Sequence, residues 1–272
     1  MDPIVRAQDL ALLQTASLFD LSTAEGGRAS NAWLVDLFTR LVVAVRPKLV
    51  LELGAREATF SRSMRAALPE AEVHAFEANP YNYRRFSPKA SAAGVEYHYQ
   101  AIGEVVGPAT FKVCTRKRGQ EVSLTRGGNS LRVRAGGFEY EDASVQMTTV
   151  DRFVEQLDLV GETTAMWIDL EGCAYEALTG AERALRSTAT LMVEVENAPI
   201  WEGQRLSGDV HALLHRAGFV AVARDFEYGA QYNVVFVNAE VYETYDVRAA
   251  LVSAFSTPPL TSRSSPLISS GT

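Results

Sequence analysis

The stretch "LELGAREATF", residues 51–60, joins a run of aliphatic and β-branched residues to a helix-like segment. How that turn is read decides the fold. "LVLEL" (49–53) is apolar except for Glu52, as suits a strand of a buried parallel sheet. Gly54 then lets the backbone turn tightly and come close to a ligand, where a Cβ would intrude. A dinucleotide-binding turn uses further glycines so that a pyrophosphate can rest on the following helix N-terminus. Here Arg56, Glu57 and Ala58 follow instead, and Glu52 and Glu57 place negative charge where a diphosphate would lie.

Working outward, Leu34, Leu37, Phe38, Leu41, Val42 and Val45 recur at helical spacing, with Ser30 as the expected N-cap and Pro47 as the stop. Residues 1–47 therefore read as an N-terminal helical segment. From Leu49 strands and helices alternate, the pattern of a parallel sheet covered on both faces. Strands are expected at 49–53, 72–77, 95–102, 165–170, 189–196, 219–225 and 232–238, and helices near 58–68, 80–92, 175–186 and 207–217. The expected fold is α/β: a Rossmann-like, doubly wound, mostly parallel seven-stranded sheet over residues 48–240. Residues 103–148 break the alternation and read as a small, irregular β insertion at the mouth of the sheet. A C-terminal helix is expected at 241–255. The Ser/Thr/Pro-rich stretch 256–272 reads as a disordered tail.

Composition narrows the function classes. A net charge of -7 over 272 residues argues against non-specific nucleic-acid binding, which needs a basic surface. Arg116–Arg118 is a short basic run that reads as a solvated loop. No apolar run approaches the roughly 18 residues of a membrane span, and the start lacks the basic-then-apolar order of a secretion signal. The expected compartment is the cytoplasm. Cys114 and Cys173 form neither a disulfide framework nor a metal-knuckle spacing and read as buried thiols. His74 and His98 fall in strands as packed histidines, and His211 and His215 read as a surface pair.

An acidic, glycine-poor turn suits a cationic cofactor without phosphates, and S-adenosylmethionine is one. Its ribose calls for an acid at the end of the second strand. Glu77 stands 23 positions after Gly54 (77 − 54), near the roughly twenty-residue offset of a ribose-binding acid. Ala78 adjoins it, and Gln100, Ala101 and Ile102 would line the adenine pocket.

The chain resembles the FkbM-type methyltransferases from about Val50 to Val237. The motifs that carry the resemblance are "LELGAREATFS", "VHAFEANP", "QAIG", "SL" at 130–131, "TTVDRF", "WIDLEGCAYEALTGA" and "LMVEVE". The resemblance implies a class I methyltransferase fold, S-adenosylmethionine as cofactor, and cofactor contacts from Glu52, Gly54, Ala55, Glu77, Ala101 and Asp169. It departs from the family at Arg56 and Ala58, where Asn and Gly are usual after "GA", and at Cys173-Ala174.

Methyl transfer needs nucleophile, carbon and sulfur nearly in line, and positioning of that kind supplies roughly 7–11 kcal/mol in oriented models. A hydroxyl acceptor also needs a base. The candidates are Asp169 and Glu171 in "MWIDLEG", two apart and so on one face of a regular strand. Asp169 is expected to face the cofactor and Glu171 to orient or deprotonate the acceptor. Glu194 and Glu196 end the fifth strand. With Asn197 and Asp169 they offer oxygens to a hard cation, but no spacing demands one, so no metal is assigned. Trp201 and Tyr228 are candidates for an acceptor pocket.

The expected activity is therefore methylation of a hydroxyl on a sugar, glycolipid or secondary metabolite, by a chain that could self-associate. The rival readings are a nicotinamide-dependent oxidoreductase and a non-catalytic binding protein on the same fold.

Overall fold

Strands and helices alternate along most of the chain in the computed structural model, which describes residues 12–134 and 136–256. In order they are α1 (Ala24–Val45), β1 (Leu49–Leu53), α2 (Thr59–Ala67), β2 (Glu72–Glu77), α3 (Pro80–Ala92), β3 (Glu96–Tyr99) and β4 (Ala101–Ile102). The excursion follows as β5 (Gly107–Lys117), β6 (Gln120–Glu121) and β7 (Phe138–Thr148). The chain then resumes with α4 (Val150–Gln156), β8 (Thr164–Ile168), α5 (Ala174–Thr179), β9 (Thr188–Glu196), α6 (Ser207–Arg216), β10 (Phe219–Arg224) and β11 (Gln231–Asn238). It closes with α7 (Ala239–Tyr242) and α8 (Tyr245–Ser256).

The main sheet runs β10-β11-β9-β8-β1-β2-β3. The five strands from β9 to β3 are parallel to their neighbours, whereas β11 is antiparallel to both β9 and β10. The fold is thus α/β with a mainly parallel sheet of mixed orientation. From β1 the chain builds outward to β2 and β3, then returns to build β8 and β9 on the other side. The crevice at such a reversal is where open α/β sheets bind ligands.

Side-chain alternation distributes the core. Leu49, Leu51 and Leu53 pack on one face with α4, α5 and α6. Val50 points the other way, into a cluster with Leu34, Leu37, Phe38, Leu41 and Val42 of α1. Each such fully buried side chain contributes about 1.5–3 kcal/mol.

Several expectations are corrected. Thr23 caps α1 by accepting from Gly26 N at 3.0 Å, while Ser30 lies inside the helix. Ser30 donates to Gly27 O at 2.6 Å and accepts Phe226 N at 2.8 Å. The strand expected at 95–102 splits after Tyr99, because Ala101 and Ile102 pair with Met147 and Thr148 of a second sheet, β4-β7-β5-β6. That second sheet is built on a long antiparallel β5–β7 pairing, with a register shift between Cys114 and Arg116. The helix expected at 175–186 stops at Thr179 and resumes as a 3-10 turn, Ala184–Arg186. α4, capped by Thr149, has no counterpart among the expected helices. His211 is buried against the edge of Phe236 instead of lying on the surface. Residues 257–272 of the expected tail, and residues 1–11, lie outside the described residues.

The chain's two flanks meet. Asp225 accepts from Asn31 Nδ2 at 2.7 Å, Asn233 N at 3.1 Å and Asn233 Nδ2 at 2.8 Å. Trp33 Nε1 donates to Ala254 O at 3.3 Å.

Candidate functional site

Gly54 has φ +85°, and a Cβ there would overlap the carbonyl oxygen of Asp169. Glycine is therefore required by both conformation and space. Arg56 and Ala58, at φ 40° and 50°, are also left-handed, which costs roughly 1–2 kcal/mol each for residues with a Cβ. Neighbouring strands hold them there. Glu77 Oε2 accepts Arg56 N at 2.9 Å, and Tyr97 Oη donates to Arg56 O at 2.5 Å. Ala58 has no side chain with which to cap α2, and Glu52 supplies the acceptor by taking Ser61 N at 2.8 Å. Burial pushes both Glu52 and Glu77 up to about 7, against the lowering effect of these hydrogen bonds.

Beyond the strand ends lies a crevice of about 660 Å³, open mouth included. Of the residues expected to touch a cofactor, Gly54, Glu77, Ala78, Gln100, Ala101, Ile102 and Asp169 line it, and Glu171 joins them. Glu52 and Ala55 do not. They face a second groove, between α1 and the β1–α2 turn, shared with Phe60, Trp167 and Asp169. The roof of the first crevice comes from the β5–β7 excursion: Phe111, Arg126, Gly127, Gly128, Asn129 and Leu131. Sequence patterning did not single out these roof residues, apart from the "SL" at 130–131. Asn79 Nδ2 and Arg56 Nε tie the roof down through the carbonyls of Leu124 (2.8 Å) and Thr125 (3.2 Å).

On the other side the excursion clasps the loop after β8. Ser130 Oγ donates to Glu171 O at 2.7 Å, and Arg132 bonds Gly172 O, Glu202 O and Glu176. Arg134 pairs with Glu171 at 3.2 Å and lies over the Trp201 ring at 4.2 Å. Gln231 Nε2 also donates to Glu171, at 3.3 Å. Neither Arg134 nor Gln231 was foreseen from sequence, since each lies far from residue 171 along the chain.

β8 ends at Ile168 and Glu171 has φ 49°, so the regular strand that would align Asp169 with Glu171 does not extend that far. The loop nevertheless brings them together. Carboxylate oxygens of Asp169, Glu171 and Glu194 all lie within 4.8 Å of one another. Burial, reinforced by the neighbouring carboxylates, pushes Asp169 and Glu196 up to about 7 and Glu194 well above its ordinary value. Asn197 stands apart: it is exposed and donates to Gly229 O at 3.2 Å. Trp201 is buried under Arg134 and Tyr228 is largely exposed, and neither lines the crevice. Cys114 and Cys173 are both buried and free, and burial pushes the Cys173 thiol up.

Residues 44–221, more than half of the chain, match the Methyltransferase FkbM domain. The chain belongs to the FkbM methyltransferase family. This FkbM protein is accordingly a methyltransferase dependent on S-adenosylmethionine, and the nicotinamide reading falls away. No curated protein matches it. Solved structures similar to it include the N-terminal domain of EvdMO1 with SAH bound (14% identity, 75% of this chain and 79% of that one, TM-score 0.41). Others are a precorrin-6y C5,15-methyltransferase from Geobacter metallireducens GS-15 (13%, 72% and 84%, 0.39) and an O-methyltransferase family protein from Burkholderia thailandensis (11%, 76% and 55%, 0.40). No helix among the described residues is long and apolar enough to cross a membrane.

Proposed function

We propose that this methyltransferase acts on oxygen, methylating a hydroxyl of a sugar, glycolipid or secondary metabolite in the cytoplasm. The catalytic unit would be residues 48–240, a doubly wound sheet of class I layout flanked by helix α1 and by a helical segment at 241–255. The observation that carries the reading is one crevice lined by Gly54, Glu77 and Asp169, at the ends of β1, β2 and β8, and by Ala101 at the start of β4.

The donor set fits a cationic, phosphate-free cofactor. Three carboxylates, Glu77, Asp169 and Glu171, line the crevice against two arginines, Arg56 and Arg126, and Gly54 keeps the wall bare of a Cβ. In this reading Glu77 holds the ribose hydroxyls and Gln100–Ile102, with Ala78, enclose the adenine. Gly54 and Ala55 shape the turn around the amino-acid end, Glu52 braces that turn from behind, and Asp169 faces the cofactor. The cofactor supplies an electrophilic sulfonium methyl group. Glu171, oriented by Arg134 and Gln231, takes the acceptor's proton as the oxygen–carbon bond forms and the carbon–sulfur bond breaks. The products are a methyl ether and S-adenosylhomocysteine.

Calorimetry with S-adenosylmethionine, followed by turnover against pooled glycan and polyketide alcohols, tests the reading. Asp169→Asn keeps size and removes charge. Wild-type rate and cofactor affinity in that variant would remove Asp169 from the site, and methylation confined to amines or thiols would replace oxygen as the target.

A further inference from the structure

Carboxylates gather where β8 and β9 end. Asp169 and Glu171 leave β8, while Glu194 and Glu196, two apart on β9, share one face. Asp169, Glu171 and Glu194 approach within 4.8 Å. One oxygen of this trio, and one of Glu196 next along the same face, have nothing to bond. Glu194 Oε1 and Glu196 Oε1 are both enclosed without a hydrogen-bond partner, and Glu196 as a whole is only 2% exposed. The other oxygen of Glu196 is held by Gln204 Nε2 at 3.2 Å, which fixes the carboxylate in place. Enclosed, unbonded carboxylate oxygens are costly, and such groups normally pair or bind metal.

We propose that Asp169, Glu171 and Glu194 bind one hard divalent cation, Mg²⁺ or Mn²⁺. The ligand atoms are all carboxylate oxygens, the choice of such ions. Charge favours a dication over an ammonium group. Ionised, the three carboxylates outnumber Arg134 by two charges; a dication leaves none uncompensated and an ammonium leaves one. The site is independent of what the acceptor is. Its role in catalysis rests on the oxygen-methylation reading: a cation beside Glu171 would lower the acceptor hydroxyl's pKa.

The test uses the full chain stripped with chelator, without cofactor or acceptor, titrated with Mn²⁺ and followed by loss of the free-ion paramagnetic resonance signal. One Mn²⁺ per chain, displaced by Mg²⁺, is expected. Glu194→Gln should weaken binding by about tenfold or more, a loss that even outer partners of metal sites cause. Asp169→Asn serves if Glu194→Gln fails to fold. No Mn²⁺ binding by the wild type, or equal binding by a folded variant, overturns the proposal, as does a site that takes glucosamine's ammonium group and ignores Mn²⁺. S-adenosylmethionine affinity is measured on the same sample. Cofactor binding without Mn²⁺ binding overturns the cation site alone, and Mn²⁺ binding without cofactor binding overturns the cofactor crevice alone.

Discussion

The Glu77 carboxylate accepts the backbone N–H of Arg56 at 2.9 Å, so the end of β2 fastens the turn that leaves β1. The same side chain accepts Asn79 N at 2.6 Å and fixes the start of α3. Glu77→Gln keeps one acceptor oxygen and loses the charge. Hydrogen bonds to charged groups are worth about 1.5–3 kcal/mol, so S-adenosylmethionine affinity should fall about 10- to 100-fold. Calorimetry measures it, and an unchanged dissociation constant in a folded variant refutes the ribose role.

Glu52 gives a pH dependence. Its carboxyl rises from 4.5 to about 7 on burial. A folded value above the unfolded one favours folding fully below pH 4.5, and that contribution is lost as pH climbs through 7. Glu77 carries the same sign. Glu52→Gln can still accept Ser61 N, so the melting temperature of the cofactor-free protein should decline less between pH 5 and 8 than in the wild type. Parallel melting curves would dismiss this account.

The histidines act at the opposite end of the scale. His74 Nδ1 and His98 Nε2 lie 3.1 Å apart, a bond in which one nitrogen carries the proton and the other is bare, so the two rings cannot both be charged. Burial lowers His98 to about 4 and His74 below its ordinary value. A depressed histidine contributes stability above pH 6.5 that is lost as pH falls through 4. His98→Gln cannot gain a proton, so the loss of stability on acidification should be shallower. Denaturant midpoints from pH 7 to 4 will show whether it is.

Gly54→Ala combines left-handed strain with a collision against the Asp169 carbonyl. A destabilisation of at least about 2 kcal/mol is expected, since neither backbone can yield easily. Turnover should fall further, because the displaced strand end carries Asp169. Urea unfolding with near-normal stability would mean that the turn relaxes.

Short-range pattern made the sheet legible. Aliphatic-rich runs at 49–53 and 189–196, interrupted chiefly by glutamates, read as strands, and glycine followed by charge at 54–57 read as a ligand turn. What escaped depends on partners far along the chain. Nothing near Gln100 signals that Ala101 leaves the main sheet for Met147. Ser30 reads as the cap of α1, yet its hydroxyl is claimed by Phe226 N, far along the chain, and Thr23 caps the helix. The spacing of Asp169 and Glu171 suggested one face of a strand. Their meeting instead depends on a left-handed residue at 171 and on Arg134, 37 positions earlier. The arginine at 56 and the alanine at 58, odd as ligand-turn residues, make sense once Glu77 and Glu52 are seen holding that turn and α2.

Asp225 binds Asn31 and Asn233, three residues that all lie outside the family match at 44–221. The polypeptide before that match and the polypeptide after it are thus spliced to each other across it. Trimming the gene to the matched boundaries would cut away both halves of this joint and bare the apolar face that α1 covers. An expression clone meant to fold should keep at least residues 24–256, and sequence drift at 31 should track drift at 225 and 233.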